Sequence, residues 1–435
     1  MATTYLTRTF GTPTNNKIFT FSAWMKRGAI GVADEGFFST GASGDPITTF
    51  RWNSDNKLYL FYLSGASMVW EFATNARYRD CNGWYHVVIA FDSTEVAAGD
   101  RFKLWVNGEQ VTSWSTQVNP ALNMTPTMNS AMAHVIGTNW SSGGNVYNGL
   151  MSAVNFADGT AYTASTFGST DADTGEWVIN TSPSFTLGTN GFTILDNGDT
   201  ITDQSSNSND FTLTAGTLTN TEDCPSDIFA TFNPLVKEST THNATYSNGN
   251  TTIDFPDGGD GIFFSTLGAY KGKFYSEMKL NAFSDNSHYV GVSSTGTGWF
   301  VGTVALKYSK SGNTNVISKD NVNVQTGLTS LTAGDIVGMA VDIDSQTVDF
   351  TVNGSAYGTQ VTGCTFFTDN PIMFFCSGEG HPSAGRTFNL SANFGNGYFG
   401  TTAISSEGTN ASGIGKFEYN VPAGYTALST KGLQE

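Results

Sequence analysis

A hairpin that occurs twice restricts the folds open to this sequence more than any other feature. Residues 83–92 and 102–106 are predicted as two strands separated by a short polar loop; the second alternates with the two-residue period of a half-buried strand, and Asn-Gly follows at 107–108. Asn and Gly readily adopt the positive φ angles that a two-residue hairpin turn requires. The same order of alternating strands and Asn-Gly returns over residues 335–354. The sequence therefore predicts two separate units, each built on the same kind of antiparallel hairpin.

The length and composition favour a multi-domain protein made of strands. With 435 residues, and about 100–200 residues in a typical domain, we expect two or three domains. Charged residues make up 13% of the chain, against about 25% in typical domains, whereas aromatic residues also reach 13% and glycine occurs 49 times. Aromatic residues favour strands and glycine favours turns. The predicted fold class is therefore all-β.

The charge and the apolar pattern exclude two classes of partner. The formal net charge of −17 repels a phosphate backbone, because nucleic-acid affinity depends on Lys and Arg. No run of about 18 apolar residues is present, and residues 1–6 lack the basic and apolar regions of a secretion signal. We therefore expect no nucleic-acid partner, no membrane insertion and synthesis in the cytoplasm.

The cysteines are scattered rather than arranged in a disulfide framework. They are Cys81, Cys224, Cys364 and Cys376. A cytoplasmic origin favours free thiols, and a bridge between Cys364 and Cys376 is the alternative.

The first part of the chain resembles a known family in the order and spacing of its strand motifs. The motifs are the alternating residues 19–24, the hairpin of residues 83–108, and residues 136–137 and 147–152. Together they resemble the laminin-G-like, concanavalin A-like lectin/glucanase domain over residues 1–168. The resemblance implies a jelly-roll sandwich of two antiparallel sheets.

The second part resembles another family with the same architecture. The motifs are residues 272–275, residues 289–292, the Asn-Gly turn at 353–354 and Asn-Phe-Gly at 393–395. They resemble the SPRY domain over residues 236–400. That resemblance implies a second concanavalin A-like sandwich.

Two further segments complete the predicted organisation. Residues 169–235 are polar and rich in turns but contain scattered apolar residues, so we interpret them as an irregular β connector. Residues 209–211 and 228–235 in this connector resemble connectors in virion proteins of marine bacteriophages, and residues 417–435 of the C-terminal tail at 401–435 resemble tails of such proteins. The predicted fold is thus two antiparallel β-sandwiches in tandem, joined by the connector.

No catalytic residue is predicted. Glucanases of this fold use carboxylates in a Glu-x-Asp arrangement, about 5 Å apart in retaining enzymes, and the sequence contains no Glu-x-Asp. Asp342 and Asp344 have the spacing but lack a following Glu, and we interpret them as a solvated strand end. His86 lies within a predicted strand and is interpreted as a packed histidine. A serine nucleophile would require a strand-to-helix elbow, and we predict no helix to form one.

Calcium is the metal that the sequence leaves open, since laminin-G-like domains often hold one. The five histidines include no His-x-His pair and no zinc motif. The calcium candidates are Asp171 with Asp173, and Asp257 with Asp260, and both pairs lack the downstream bidentate Glu of a calcium loop. The alternative is a polar turn in which Asp accepts local hydrogen bonds. No cofactor is required by this interpretation.

The candidate ligand-binding residues lie in loops. Sugars and partner proteins are bound by an aromatic face flanked by polar groups that orient the ligand. Trp140 and Trp299 lie in polar or glycine-rich loops, where they are candidates for ligand contact or for pinning those loops to the core. Resemblance to SPRY domains implies that the loop with His381 and Arg386 contacts a partner.

The leading hypothesis for function is a non-enzymatic bacteriophage virion protein. It would be a tail fibre, receptor-binding protein or head-borne adhesin that binds host surface glycan or protein as a homo-oligomer beside other virion proteins. A capsid decoration or tail adaptor with a structural role is the alternative. A polysaccharide depolymerase ranks third, because it requires a carboxylate pair that the sequence lacks.

Overall fold

The chain folds into two compact units, Met1–Asn220 and Thr221–Glu435, in a computed structural model. The structure describes residues 4–28, 30–31, 33–41, 46–141, 143–236, 244–255, 261–284, 288–294, 302–310, 315–369, 373–379 and 387–435. The division falls within the predicted connector of residues 169–235. Phe192 and Phe211 from that segment pack in the first core, whereas Phe232 packs in the second.

Strands make up almost all of the regular structure, which confirms the predicted all-β class. Those of the first unit are β1 Tyr5–Thr9, β2 Ile18–Arg27, β3 Glu35–Thr40, β4 Ile47–Trp52, β5 Leu58–Ser64, β6 Ser67–Thr74, β7 Trp84–Asp92, β8 Phe102–Val106, β9 Glu109–Gln110, β10 Trp114–Val118, β11 Ala133–Ile136, β12 Gly149–Asp158, β13 Gly168–Thr170, β14 Trp177–Ile179, β15 Phe192–Ile194 and β16 Thr212–Ala215. Short 3₁₀ turns lie at Ala98–Asp100 and Ala164–Thr166.

The second unit also consists mainly of strands. Its strands are β17 Thr245–Ser247, β18 Thr252–Phe255, β19 Gly261–Phe264, β20 Lys273–Phe283, β21 His288–Ser293, β22 Thr303–Tyr308, β23 Val316–Lys319, β24 Val322–Gln325, β25 Ile336–Asp342, β26 Thr347–Val352, β27 Ser355–Ala356, β28 Phe374–Glu379, β29 Phe388–Asn393, β30 Tyr398–Phe399, β31 Thr402–Ala403 and β32 Thr426–Ala427. One α-helix, α1 Phe366–Asp369, and a 3₁₀ turn, Gly432–Gln434, lie among these strands.

The first unit is a sandwich of two sheets. Sheet I has eight strands in the order β10-β6-β5-β4-β3-β11-β1-β16, and sheet II has six in the order β15-β12-β2-β7-β8-β9. Their facing side chains form one apolar core, in which Phe21 of sheet II stacks on Phe38 of sheet I at 4.7 Å between ring centroids. Each such buried ring contributes about 1.5–3 kcal/mol of transfer free energy. β1 lies inside sheet I, because it pairs with both β11 and β16.

The second unit repeats this sandwich. Sheet III contains β17-β18-β29-β20-β25-β26-β27, with β32 beside β20, and sheet IV has the order β19-β28-β21-β22-β23-β24. Met278 and Met339 of sheet III face Val290 and Phe375 of sheet IV in one core. The two predicted β-sandwiches are therefore present in tandem.

The two predicted Asn-Gly hairpins are confirmed. Their asparagines have nearly the same φ angle and accept the corresponding backbone hydrogen bond. Asn107 and Asn353 have φ angles of 49° and 50°, and each glycine that follows also has a positive φ. In the first hairpin the Asn107 side chain accepts the backbone N–H of His86 at 2.7 Å. In the second, the Asn353 side chain accepts the backbone N–H of Ile336 at 2.9 Å. Each asparagine thus ties the turn to the first strand of its hairpin, β7 or β25, near the start of that strand.

The outer face of sheet II is covered by the chain that follows it. Trp177 and Phe167 pack there against Trp105 and Val88. A Cβ atom at the turn glycine Gly108 would lie 2.3 Å from the Trp177 ring, so this turn requires glycine for close approach as well as for its φ.

The outer face of sheet III is covered in the same way by the C-terminal tail. Phe417 is fully buried, with its ring centroid 5.0 Å from that of Tyr275. A Cβ atom at Gly354 would lie 2.5 Å from the Tyr419 ring, as Gly108 lies under Trp177 in the first unit. β32 pairs in parallel with β20 and completes the tail's attachment.

A buried carboxylate anchors this tail. Glu277 on β20 accepts the backbone N–H groups of Glu418 at 2.9 Å and Tyr419 at 2.8 Å. It also accepts the Tyr275 hydroxyl at 3.2 Å and the Asn393 amide at 3.3 Å. Burial raises the pKa of Glu277 to about 7, and these hydrogen bonds offset only part of that effect.

The structure also bears on the predictions made for Asp342, for the cysteines and for membrane insertion. Asp342 is buried and forms an ion pair with Lys273 at 2.9 Å, so its interpretation as a solvated strand end is wrong. All four cysteines are free thiols, and Cys364 is not bonded to Cys376. Across the part of the chain that the structure describes, no helix is long and apolar enough to cross a membrane.

The raised pKa of Glu277 predicts that the docked tail weakens at high pH. The folded protein keeps the Glu277 proton to a higher pH than the unfolded chain, so its stabilising contribution is full below about pH 4 and is lost as the pH rises through about 7. Glu277→Gln does not titrate. From about pH 5 to about pH 8, the opening free energy of the Glu418 and Tyr419 amides should fall in the wild type by about 2–3 kcal/mol relative to Glu277→Gln.

Hydrogen exchange of these two amides measures this difference. Glu109→Gln, at an exposed position in β9, is the control; it retains Glu277 and should show the same fall with pH as the wild type. A wild-type minus Glu277→Gln difference that is constant with pH would contradict the assignment.

Candidate functional site

A serine and a histidine lie together in sheet II, but not in the protonation state that a nucleophile requires. The Trp177 indole donates to His86 Nδ1 at 2.9 Å, and an indole N–H can only donate. Burial lowers the pKa of His86 to about 3, so the ring is neutral and its proton is on Nε2. Nε2 therefore donates to Ser22 Oγ at 2.9 Å and cannot accept the serine proton. His86 is a packed histidine, as predicted.

Most of the predicted loop residues lie outside the described residues. These are Trp299, His381, Arg386, Asp257 and Asp260.

Asp171 and Asp173 lie in an exposed turn before β14. Asp171 Oδ1 accepts the backbone N–H groups of Asp173 at 3.0 Å and Thr174 at 2.8 Å, and the Thr174 hydroxyl at 2.9 Å. These hydrogen bonds lower the pKa of Asp171. Within the described ranges, no group of three or more His, Cys, Asp or Glu residues is placed to hold a metal ion. At this turn Asp171 therefore accepts local hydrogen bonds, as in the alternative of a polar turn.

The outer face of sheet I is the side of that sheet that points away from the core of the first unit. Because side chains alternate along a strand, and Phe50, Leu60 and Phe72 point into the core, their neighbours point outward. Two adjacent rows of outward residues cross β3, β4, β5 and β6. They are Gly36, Arg51, Tyr59 and Ala73, and next to them Ser39, Thr49, Phe61 and Glu71.

An arginine lies flat on two aromatic rings in the middle of this face. Arg51 Cζ is 4.8 Å from the Tyr59 ring centroid and 5.1 Å from that of Phe61. Its Nη2 forms an ion pair with Asp34 at 3.0 Å, and the two side chains are 18% and 27% exposed. The Tyr59 hydroxyl donates to Glu71. We call Asp34, Arg51, Tyr59, Phe61 and Glu71 the Arg51 cluster.

The electrostatics of the cluster follow from partial burial. Burial lowers the pKa of Arg51, and the carboxylate of Asp34 opposes that effect. Burial and the hydrogen bond to Glu71 raise the pKa of Tyr59, so its hydroxyl stays protonated. The cluster thus combines one guanidinium, two carboxylates and one phenol at the protein surface.

A buried ion pair behind the cluster fixes the position of Asp34. Arg27 Nη2 contacts Glu35 Oε2 at 3.0 Å, and both side chains are almost fully buried. Glu35 also accepts the backbone N–H of Asn148 at 3.1 Å. Burial raises the pKa of Glu35 to about 7, while Arg27 opposes that effect. Glu35 therefore holds the start of β3, and with it the neighbouring Asp34, against the chain at Asn148.

The segment of residues 138–141 lies across the same face, next to the cluster. Ser39 Oγ donates to the Thr138 carbonyl at 2.7 Å, and Thr49 Oγ1 donates to the Asn139 carbonyl at 3.3 Å. A Cβ atom at Gly36 would lie 2.4 Å from Asn139 Oδ1, so the absence of a side chain at Gly36 admits the Asn139 amide. Gly36 is directly opposite Arg51 across the strand pair.

Buried polar atoms without hydrogen-bond partners among the described residues lie near Gly36. Asn139 is fully buried, and among the described residues neither its Oδ1 nor its Nδ2 has a hydrogen-bond partner. Arg51 Nε is also buried and unpartnered within that set. Orphaned buried polar atoms each cost about 1–3 kcal/mol, so natural proteins retain few of them without a functional reason.

Trp140 follows Asn139 directly, and the structure describes it as half-buried. A Cβ atom at Gly144 would lie 2.4 Å from the Trp140 indole, so the ring packs on its own loop. The residues predicted from the sequence include neither the Arg51 cluster nor Asn139. A detectable signal was the run Leu58-Tyr59-Leu60-Phe61, in which both faces of a strand are apolar or aromatic.

The chemistry available at this face is reversible binding. The guanidinium donates hydrogen bonds, Asp34 and Glu71 accept them, and the Tyr59 ring adds apolar surface. Sugars, which offer hydroxyl groups and C–H faces, and peptides both match such a surface.

Comparison with known proteins agrees with the fold of the first unit. Residues 2–166 match the concanavalin A-like lectin/glucanases superfamily. No curated protein matches the chain at a significant level.

Three solved structures show some similarity to this chain. The SPRY domain of human HERC1 is 17% identical, with 37% of this chain and 96% of that chain covered and a TM-score of 0.30. A heptameric pentraxin from Limulus polyphemus is 19% identical, with 37% and 72% covered and a TM-score of 0.28. A protein from Bacteroides ovatus assigned to carbohydrate binding is 17% identical, with 50% and 58% covered and a TM-score of 0.33.

Replacing the orphaned amide should stabilise the first unit. Asn139→Leu has the same branching and removes two unpartnered polar atoms, so we expect the free energy of unfolding to rise by about 1–2 kcal/mol. Tryptophan fluorescence in urea reports this unit, because eight of the nine tryptophans precede residue 221.

The matched control is Asn190→Leu. The Asn190 side chain is buried too, but it accepts the Gly11 N–H at 3.0 Å and donates to the Gly11 carbonyl at 3.1 Å. That variant should lose about 2–3 kcal/mol. Equal destabilisation by both substitutions would show that the Asn139 amide has structural partners.

Proposed function

We propose that this protein is a non-enzymatic surface protein of a bacteriophage virion that binds glycan or protein on the host cell. The single observation behind this proposal is the outer face of sheet I. Residues 138–141 cover part of this face, and beside them the Arg51 and Asp34 side chains of the Arg51 cluster remain 18% and 27% exposed next to an orphaned buried amide.

Binding is favoured over catalysis by the chemistry of the polar groups. The superfamily that residues 2–166 match includes both lectins and glucanases in its name. Asp342 is paired with Lys273, and the Ser22–His86 pair has its proton on the wrong nitrogen for base catalysis. In the Arg51 cluster, each carboxylate already accepts a hydrogen bond from a neighbour.

The virion assignment is supported by sequence features. Segments 209–211 and 228–235 and residues 417–435 of the tail resemble parts of bacteriophage virion proteins. A net charge of −17 keeps an exterior protein soluble. We place the protein on the virion surface after synthesis in the host cytoplasm, beside other virion proteins. Copies on a symmetric particle would multiply a weak affinity per site through avidity.

Binding of the recombinant full chain to host cells tests this proposal. Fluorescently labelled protein should bind the cells and slow adsorption of the parent virus. Arg51→Met keeps the apolar stem over the rings but removes the charge, and it should lower cell binding by about fivefold or more. Val96→Ser, at a side chain that is 87% exposed, is the control and should bind like the wild type.

Two outcomes would count against the proposal. Absence of cell binding and of any effect on adsorption would favour the structural role as a capsid decoration or tail adaptor. Release of reducing ends from host polysaccharide would favour the depolymerase.

A further inference from the structure

The charges of the Arg51 cluster restrict the ligands it can take. Arg51 is the cluster's one cation, and Asp34 neutralises it at 3.0 Å. Glu71 adds a second carboxylate, opposite Phe61 in the next strand. An anionic ligand group would meet two carboxylates for one guanidinium that is already paired.

The charge of the whole chain acts in the same direction. A net charge of −17 repels polyanions over about a Debye length, which is about 8 Å at physiological ionic strength. A polysaccharide with a charge on each repeat would therefore be repelled before it reached the face of sheet I.

The hydrogen-bonding groups instead match hydroxyls. A hydroxyl group both donates and accepts, whereas a carboxylate, sulfate or phosphate only accepts. The guanidinium of Arg51 supplies donors and Asp34 and Glu71 supply acceptors, and the neighbouring Asn139 Oδ1 and Nδ2 are fully buried and unpartnered among the described residues. The Asn139 amide lies against Gly36, directly across the strand pair from Arg51. Neighbouring hydroxyls of a sugar ring can satisfy donors and acceptors of this kind at once.

We infer that the Arg51 cluster binds a neutral, hydroxyl-rich glycan and discriminates against glycans with carboxylate, sulfate or phosphate groups. The inference rests on the proposed binding function and specifies its ligand class. Asp34 and Glu71 act as specificity determinants, because they accept hydrogen bonds from hydroxyls and repel anions. Arg51 is the donor that both ligand classes would contact.

A glycan array probed with the full chain tests this inference. The neutral probes are dextran, mannan, galactan and laminarin, and the anionic probes are alginate, polygalacturonate and carrageenan. At about 0.15 M salt, the wild type should bind at least one neutral probe about tenfold more strongly than any anionic probe. Arg51→Met should lose most of that binding, and Val96→Ser should lose none.

Glu71→Gln is the diagnostic variant, because it keeps the shape of the side chain and removes one negative charge. It should narrow the preference for neutral over anionic probes by about threefold or more, and the preference should also narrow as salt is raised. Preferential binding of an anionic probe, or a preference that Glu71→Gln leaves unchanged, would overturn the inference. Loss of all glycan binding while host-cell binding persists would overturn the ligand class and leave the proposed function standing. Loss of both glycan binding and host-cell binding would contradict the inferred ligand class and the proposed function together.

Discussion

The contact between a turn glycine and an aromatic ring determines how each half of this molecule is built. In both units an Asn-Gly turn ends the central hairpin, and a ring from a later segment lies where a Cβ atom of the glycine would be: Trp177 over Gly108 and Tyr419 over Gly354. Each contact attaches a covering segment to the outer face of a sheet. One sheet in each unit consequently has a later segment packed on its outer face, and in the first unit the partly exposed Arg51 cluster lies on the other sheet, sheet I.

The covering segments also explain where the unusual ionisation states arise. His86 is buried between the Trp24 and Trp177 rings, and Glu277 is buried under the tail. Both groups are desolvated because a later part of the chain covers them, and in both the hydrogen bonds are used to hold that cover. Their perturbed pKa values therefore reflect attachment of the covers and not catalysis.

The sequence was sufficient for features that depend on local pattern. Alternation and Asn-Gly predicted both hairpins, because strand period and turn geometry are short-range properties, and composition predicted the all-β class. The two sandwiches were implied by the resemblance of each part of the chain to a known family. The sequence was insufficient where distant segments meet. Asp342 seemed solvated in the sequence, but Lys273 lies 69 positions away and pairs with it across β20 and β25. The Arg51 cluster likewise joins β3, β4, β5 and β6, and Asn139 reaches it only because Gly36 has no side chain.

Hydrogen exchange of the full chain is measured with and without bound host-cell envelope glycan. It distinguishes ligand binding at the Arg51 cluster on sheet I from binding at the segments that cover sheets II and III. If the Arg51 cluster binds the ligand, amides in β4, β5 and residues 138–141 should become slower to exchange, whereas those in β13, β14 and the tail should not change. Protection confined to β13, β14 or the tail, with β4 and β5 unaffected, would contradict the assignment of the binding face.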